Sequence, residues 1–281
     1  MMRHGRRIRA AANDSGCCPP NSVFRGKNMC DFNAITAFPG RVGFYCRYLG
    51  EEQLWTHNPD LPLIAASVIK IPIMVTAMRD IAAGALDPEA KVCITPEMKM
   101  PSCGALTYLH DGLEVTVMDL ITLMIILSDN TATNILIDRL TSAHVNETME
   151  SLGIPGICLR RRLFEPELSR QGIQNTVTAR GIGMLLERMA AGTLLGKRDD
   201  DAMLGILLNQ RLNGKLPFYL HSEGIRCAHK TGEDDGITHD AGIVYAKRPF
   251  VVCMLSNEVD VPAFERLIQN TARALARGEW D

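Results

Sequence analysis

The chain has 281 residues, 46% of them hydrophobic and 22% charged, and a formal net charge of -2. This is a globular composition, large enough for one sizeable core or for two lobes sharing one. The charge balance argues against a nucleic-acid binder, which would show a basic face or an extreme pI. The longest apolar runs, Leu61–Met78 and Leu120–Leu127, are too short for a membrane span or are broken by Pro62, Lys70 and Pro72.

The N-terminus carries Arg3, Arg6, Arg7 and Arg9, but no apolar segment of the kind a secretory signal needs follows them. Residues 1–28 are therefore expected to be a disordered or non-native leader ahead of a start at Met29; localisation is left open, cytoplasmic as written and exported only if the true N-terminus differs. Nine cysteines without CxxC spacing point to free thiols rather than a disulfide framework.

Arg41–Leu49 alternates Val42, Phe44, Cys46 and Tyr48 with polar or small residues, which is strand periodicity. Gly50–Gln53 reads as a hairpin turn and Leu54–Thr56 as the return strand. A helical pattern begins at Ala65. Apolar spacing of three and four predicts a long buried helix over Val117–Leu140 and a further helix over Ala179–Ala191, stopped by Gly192. Strands are expected at Arg226–Lys230, Ala241–Tyr245 and Phe250–Ser256. Val261–Arg277 closes as an amphipathic helix with Phe264, Leu267, Ile268 and Leu275 inward.

Strands at both ends and helices between them predict an α/β (α+β) fold. An antiparallel sheet from about 29–60 plus 209–281 would be flanked by helices, with an all-helical lobe, about 61–208, inserted into a single domain over 29–281. A cleft between the lobes is where a substrate pocket is expected.

Four short segments carry chemistry. Ser67-Val-Ile-Lys70 places a hydroxyl and an amine on one helix face. The lysine sits among Ile64, Val68, Ile69, Ile71 and Ile73, where desolvation lowers its pKa and lets it accept a serine proton. Pro72 places the helix start close to Ser67. Ser128-Asp129-Asn130 interrupts an apolar run with three polar groups, which are costly to bury unless satisfied. A given tripeptide arises by chance in about one in thirty chains of this length. In Lys230-Thr231-Gly232, at a strand end, a glycine lets a ligand approach the backbone and two side chains can hold a carboxylate. Phe164-Glu165-Pro166-Glu167-Leu168 offers a carboxylate able to act as a general base toward water.

In this order, S-x-x-K, S-D-N, E-x-x-L and K-T-G resemble the class A β-lactamases within the β-lactamase and penicillin-binding-protein superfamily. The resemblance covers about residues 31–277. It implies Ser67 as nucleophile, Ser128 as proton donor to the leaving nitrogen and Asn130 as the group that binds a substrate amide. Glu165 would activate the deacylating water, and Lys230 with Thr231 would hold the substrate carboxylate. The backbone N–H groups of Ser67 and Glu233 would form the oxyanion hole. Lys70 and Glu165 both remain candidates for the first proton acceptor. The implied partner is a small β-lactam or related acyl substrate bound by a monomer, with no metal or other cofactor.

Several positions depart from the family pattern. Ser169 stands where an asparagine often helps hold the water. Leu163 and Asn175 replace the Arg–Asp pair across the loop neck, so Arg161 or Arg162 is expected to hold the loop. His239 matches a cationic residue that helps hold the carboxylate, and Glu233 is larger and more acidic than the usual small residue. A related amidase, peptidase or esterase with weak β-lactam turnover is the alternative reading, followed by a non-catalytic penicillin-binding sensor. A cis Glu165–Pro166 bond is expected to aim the carboxylate toward Ser67.

Overall fold

The computed structural model describes residues 32–280, so the expected leader at 1–28 and the start at Met29 lie outside the described residues. In chain order, α1 (Phe32–Thr36), β1 (Arg41–Tyr48), β2 (Leu54–His57) and the short β3 (Leu63–Ile64) come first. A 3-10 turn at Ala66–Ile69 leads into α2 (Lys70–Ala82), followed by β4 (Lys91–Cys93) and β5 (Glu114–Thr116). The helices α3 (Val117–Ile126), α4 (Asn130–Leu140), α5 (Ser142–Ser151) and α6 (Pro166–Arg170) precede β6 (Thr176–Val177), α7 (Ala179–Ala190) and α8 (Lys197–Leu208). The chain then forms β7 (Cys227–Asp234), β8 (Ile237–Val244), β9 (Phe250–Asn257) and α9 (Val261–Arg277).

The expected mixed architecture is present. Five antiparallel strands join in the order β2-β1-β9-β8-β7, so both ends of the chain build one sheet and β7 is its edge. One face packs against the closing helix, with Phe44, Phe250 and Met254 sharing a core with Phe264, Leu267 and Ile268. Tyr45, Val251 and Cys253 lie on the other face and share a core with α2, α3, α4 and α7. Alternation of side chains along each strand supplies both faces.

Local chemistry fixes the helix ends. Thr116 and Asp119 form a reciprocal capping box at the start of α3, and Asp260 caps α9 through the Ala263 N–H. Gly278 ends α9 in a left-handed conformation at φ 68°.

Two expectations are corrected. The single helix over Val117–Leu140 is two helices, because Ser128 takes φ +55° and breaks the ladder. The strand expected to end at Lys230 runs on to Asp234, and its partner starts at Ile237 rather than Ala241. Asp235 and Gly236 close that hairpin, with Gly236 at φ +66°.

Candidate active site

The segment before Ser67 is pinned on several sides. Ile64 N–H donates to Asn257 Oδ1 at 2.8 Å, Ala65 N–H to Asn175 O at 2.9 Å, and β3 pairs with β6. Ala66 then adopts φ +41°, a left-handed conformation that costs a non-glycine residue energy and persists only where its surroundings enforce it. This kink opens the 3-10 turn that carries Ser67. Pro72 falls in the first turn of α2, where a missing N–H costs little. The Ser67 hydroxyl makes no hydrogen bond among the described residues. Ser67 lines a cavity of about 740 Å³ together with Asn130, Glu165, Ser169 and Glu233.

Below that cavity lies a dry cluster of two lysines and a serine. Lys70 is fully buried, and its Nζ donates to Ser128 O at 2.8 Å, Ser128 Oγ at 2.9 Å and Asn130 Oδ1 at 2.9 Å. Lys230, also fully buried, donates to the same Ser128 Oγ at 3.1 Å and to Thr231 O at 2.8 Å. One hydroxyl thus bridges two amines contributed by α2 and β7. Burial, reinforced by the charge of Lys230, holds Lys70 well below the usual lysine range. Burial brings Lys230 down to about 7, against the opposing pull of Asp240.

Asp129 explains why the polar triplet is affordable. Its Oδ1 caps α4 at Ala132 N–H, and its Oδ2 accepts from the N–H groups of Ala105 and Leu106 at 2.7 and 2.9 Å. Asn130 Nδ2 donates to Pro101 O at 3.2 Å, which leaves one amide hydrogen and one lone pair for a ligand.

The β7 edge approaches the Ser67 turn closely. A Cβ on Gly232 would come 2.9 Å from His239 Cδ2 and 3.2 Å from Val68 Cγ2, so glycine is required there. The Thr231 hydroxyl has no partner among the described residues. His239 does not fulfil its expected role. It is fully buried, its Nε2 donates to Ile64 O at 2.8 Å, and its Nδ1 accepts from Ser256 N–H at 3.0 Å. Both nitrogens are committed to the backbone, and burial lowers its pKa to about 4, so it is neutral and turned away from any substrate carboxylate. It fastens β8 to the segment that aims Ser67.

Sequence reasoning missed Lys215. It lies 3.0 Å from Glu233 Oε1 and donates to Gly232 O at 3.2 Å, directly behind the Lys230-Thr231-Gly232 strand. In sequence it is one lysine in a glycine-containing turn, with no motif around it.

In the loop, Glu165 accepts from Arg162 N–H at 3.0 Å through Oε2 and lines the cavity. The expected cis bond is absent: no cis peptide occurs among the described residues, and Pro166 starts α6. Glu167 turns outward to Arg170, at 2.6 Å. Ser169 Oγ accepts from Gln174 Nε2 at 2.6 Å. The neck is closed by amides and backbone instead of an ion pair. Asn175 Oδ1 accepts from Arg160 and Arg161 N–H at 2.8 and 3.0 Å, and its Nδ2 donates to Arg161 O. Arg161 adds bonds to Ile173 O and Gln174 Oε1, while Arg162 turns to Asp138 at 3.3 Å. Asn134 clamps Leu163 through both its N–H and its carbonyl.

A family model described as "Beta-lactamase enzyme family" matches residues 31–278. The chain belongs to the β-lactamase enzyme family. A β-lactamase of Streptomyces lavendulae is 28% identical over 258 residues, spanning 84% of this chain and 81% of its own. A solved β-lactamase from Sphaerobacter thermophilus DSM 20745 superposes with a TM-score of 0.79 at 32% identity, covering 87% of this chain and 94% of that one. The structure of PBP-A superposes with a TM-score of 0.78 at 27% identity, covering 88% and 92%. Membership of this β-lactamase family makes the chain a hydrolase of serine β-lactamase type. Among the described residues, no helix is long and apolar enough to cross a membrane. No group of three or more His, Cys, Asp or Glu there could hold a metal ion.

Proposed function

We propose that the chain hydrolyses the β-lactam amide through an acyl-enzyme on Ser67, in the manner of class A enzymes. The observation that carries this reading is the Ser128 hydroxyl held between the buried amines of Lys70 and Lys230, next to the Ser67 turn. Lys70, whose pKa burial holds well below the usual lysine range, accepts the Ser67 proton through its unprotonated form as Oγ bonds to the β-lactam carbonyl carbon. The oxyanion is met by the N–H groups of Ser67 and Glu233. When the C–N bond breaks, the ring nitrogen takes the proton of Ser128, which regains one from Lys70.

Asn130 binds the substrate amide, and Lys230 with Thr231 holds its carboxylate. Glu165 then takes a proton from the water that attacks the ester, with Ser169 beside it; as the acyl C–O bond breaks, Ser67 Oγ takes up that proton and Glu165 is again a carboxylate. The substrate is a small molecule, and the chain works as a monomer without a metal or other cofactor. The catalytic unit is one domain over 29–281, a sheet-bearing part and a helical part.

Mass spectrometry after brief exposure to penicillin G tests the assignment. The wild-type chain is expected to show an adduct equal in mass to the added penicillin, and Ser67→Ala none. An adduct of equal yield on Ser67→Ala sinks it.

A second reading, a related amidase or esterase that clears β-lactam adducts slowly, draws on Ser169. That hydroxyl already accepts a short bond from Gln174 and is shorter than the amide usual there. A long-lived adduct on the wild-type chain distinguishes it.

A further inference from the structure

The wall at the end of β7 carries charge that the proposed chemistry does not use. Glu233, Asp234, Asp235 and Glu265 all line the cavity, so four acidic residues border it at the β7–β8 hairpin and the neighbouring α9. A buried ammonium contacts two of them. Lys215 has a side chain only 3% exposed, with Nζ 3.0 Å from Glu233 Oε1 and 3.7 Å from Glu265 Oε1. The carbonyls of Gly232 and His239 accept from it at 3.2 and 3.3 Å. These two hydrogen bonds stand beside the Glu233 ion pair.

Thr231 and Glu233 are two residues apart on β7 and share a face, so the Glu233–Lys215 ion pair lies on the Thr231 side of the strand. A substrate carboxylate held by Lys230 and Thr231 therefore also meets a like charge in Glu233 and finds the second cation of this wall, Lys215, already paired. We propose that Glu233 is a specificity-determining residue. By occupying Lys215 from within the chain, it biases the cleft toward acyl substrates that carry no carboxylate at that end. This rests on the Ser67 reading above, which lays the substrate along β7.

The test is calorimetric binding of penicillin G and of its methyl ester to Ser67→Ala, where no acyl bond forms. Replacing Glu233 by Ala in that background frees Lys215 for a charge-assisted bond to the acid. It should shift the acid-to-ester affinity ratio by about tenfold or more in favour of the acid. Glu233→Gln, which keeps size but not charge, should shift it in the same direction by less. Adding Lys215→Met to the Glu233→Ala form should erase the gain. A ratio unmoved in both Glu233 variants, a gain that survives loss of Lys215, or no binding of the acid in any form overturns the proposal. Acylation of the wild-type chain is scored separately by mass. A ratio that shifts in a protein never acylated would break the Ser67 reading and leave the Glu233 filter standing.

Discussion

The two ends of the cleft are built from different materials. At the lysine end, Lys70, Lys230 and Ser128 are almost wholly buried and bonded to one another, on α2, β7 and the turn before α4. At the loop end, Glu165 and Ser169 are only half-buried and sit on a segment held by amide and backbone hydrogen bonds. The first end is rigid and dry, so it strongly perturbs its ionisable groups. The second is solvated and adjustable. On the proposed mechanism, formation of the acyl-enzyme falls to the preorganised end and its clearance to the end more easily altered.

The sharpest way to break that division is Lys70→Ala. It removes the proton acceptor and leaves Ser128 O, Ser128 Oγ and Asn130 Oδ1 without their common donor. Acylation by penicillin G, followed by stopped flow, should slow toward the upper end of the roughly 10²–10⁴-fold range of acid–base catalysis. An acylation rate near wild type would remove Lys70 from the chemistry.

Glu165→Ala attacks the other end and should do less. Acylation should proceed, while the adduct lifetime lengthens about 10²-fold, the low end of that range, because solvent at a half-buried position partly replaces the base. Adducts that clear equally fast with and without Glu165 would mean that the loop takes no part in hydrolysis.

The sequence revealed these two ends unequally. Ser67, Lys70, Ser128, Lys230 and Thr231 stood out as candidates because their short motifs, weak singly, occur together in one order. The closing helix Val261–Arg277 was legible to the residue because its apolar stripe, cap and terminal glycine agree. Lys215 was not legible, since its meaning arises only when the turn carrying it folds behind β7. The continuation of β7 through Thr231-Gly232-Glu233-Asp234 looked like a turn because four polar or small residues suit an edge strand facing a cleft as well as a loop. His239 misled for the opposite reason. Its position matched a ligand-holding residue, but β8 pairing set both ring nitrogens against backbone groups. Loss of the neck ion pair was visible, whereas its replacement by the Asn175 amide required the fold.

The smallest expected effect concerns pH and separates the two buried lysines. On the proposed mechanism, acylation needs Lys70 neutral, whereas holding a substrate carboxylate needs Lys230 charged. A lysine carries its charge below its pKa and loses it above. Burial brings Lys230 to about 7, with the Lys215 charge adding to the decrease and Asp240 and Glu233 opposing it. In the free protein Lys230 therefore loses its charge as pH rises through about 7, where an exposed lysine would keep it. Because kcat/KM reports ionisations of the free enzyme, its value for penicillin G should fall about tenfold between pH 7 and 9. The methyl ester, with no carboxylate to hold, should lack that alkaline limb. Lys70, lowered well below the usual range, acts in the opposite sense. Its neutral form is lost as pH falls, so it contributes an acid limb common to both substrates. An alkaline limb equally deep for acid and ester would assign the ionisation to the chemical step and remove Lys230 from carboxylate binding. No limb at all would mean that the Lys230 charge survives its burial.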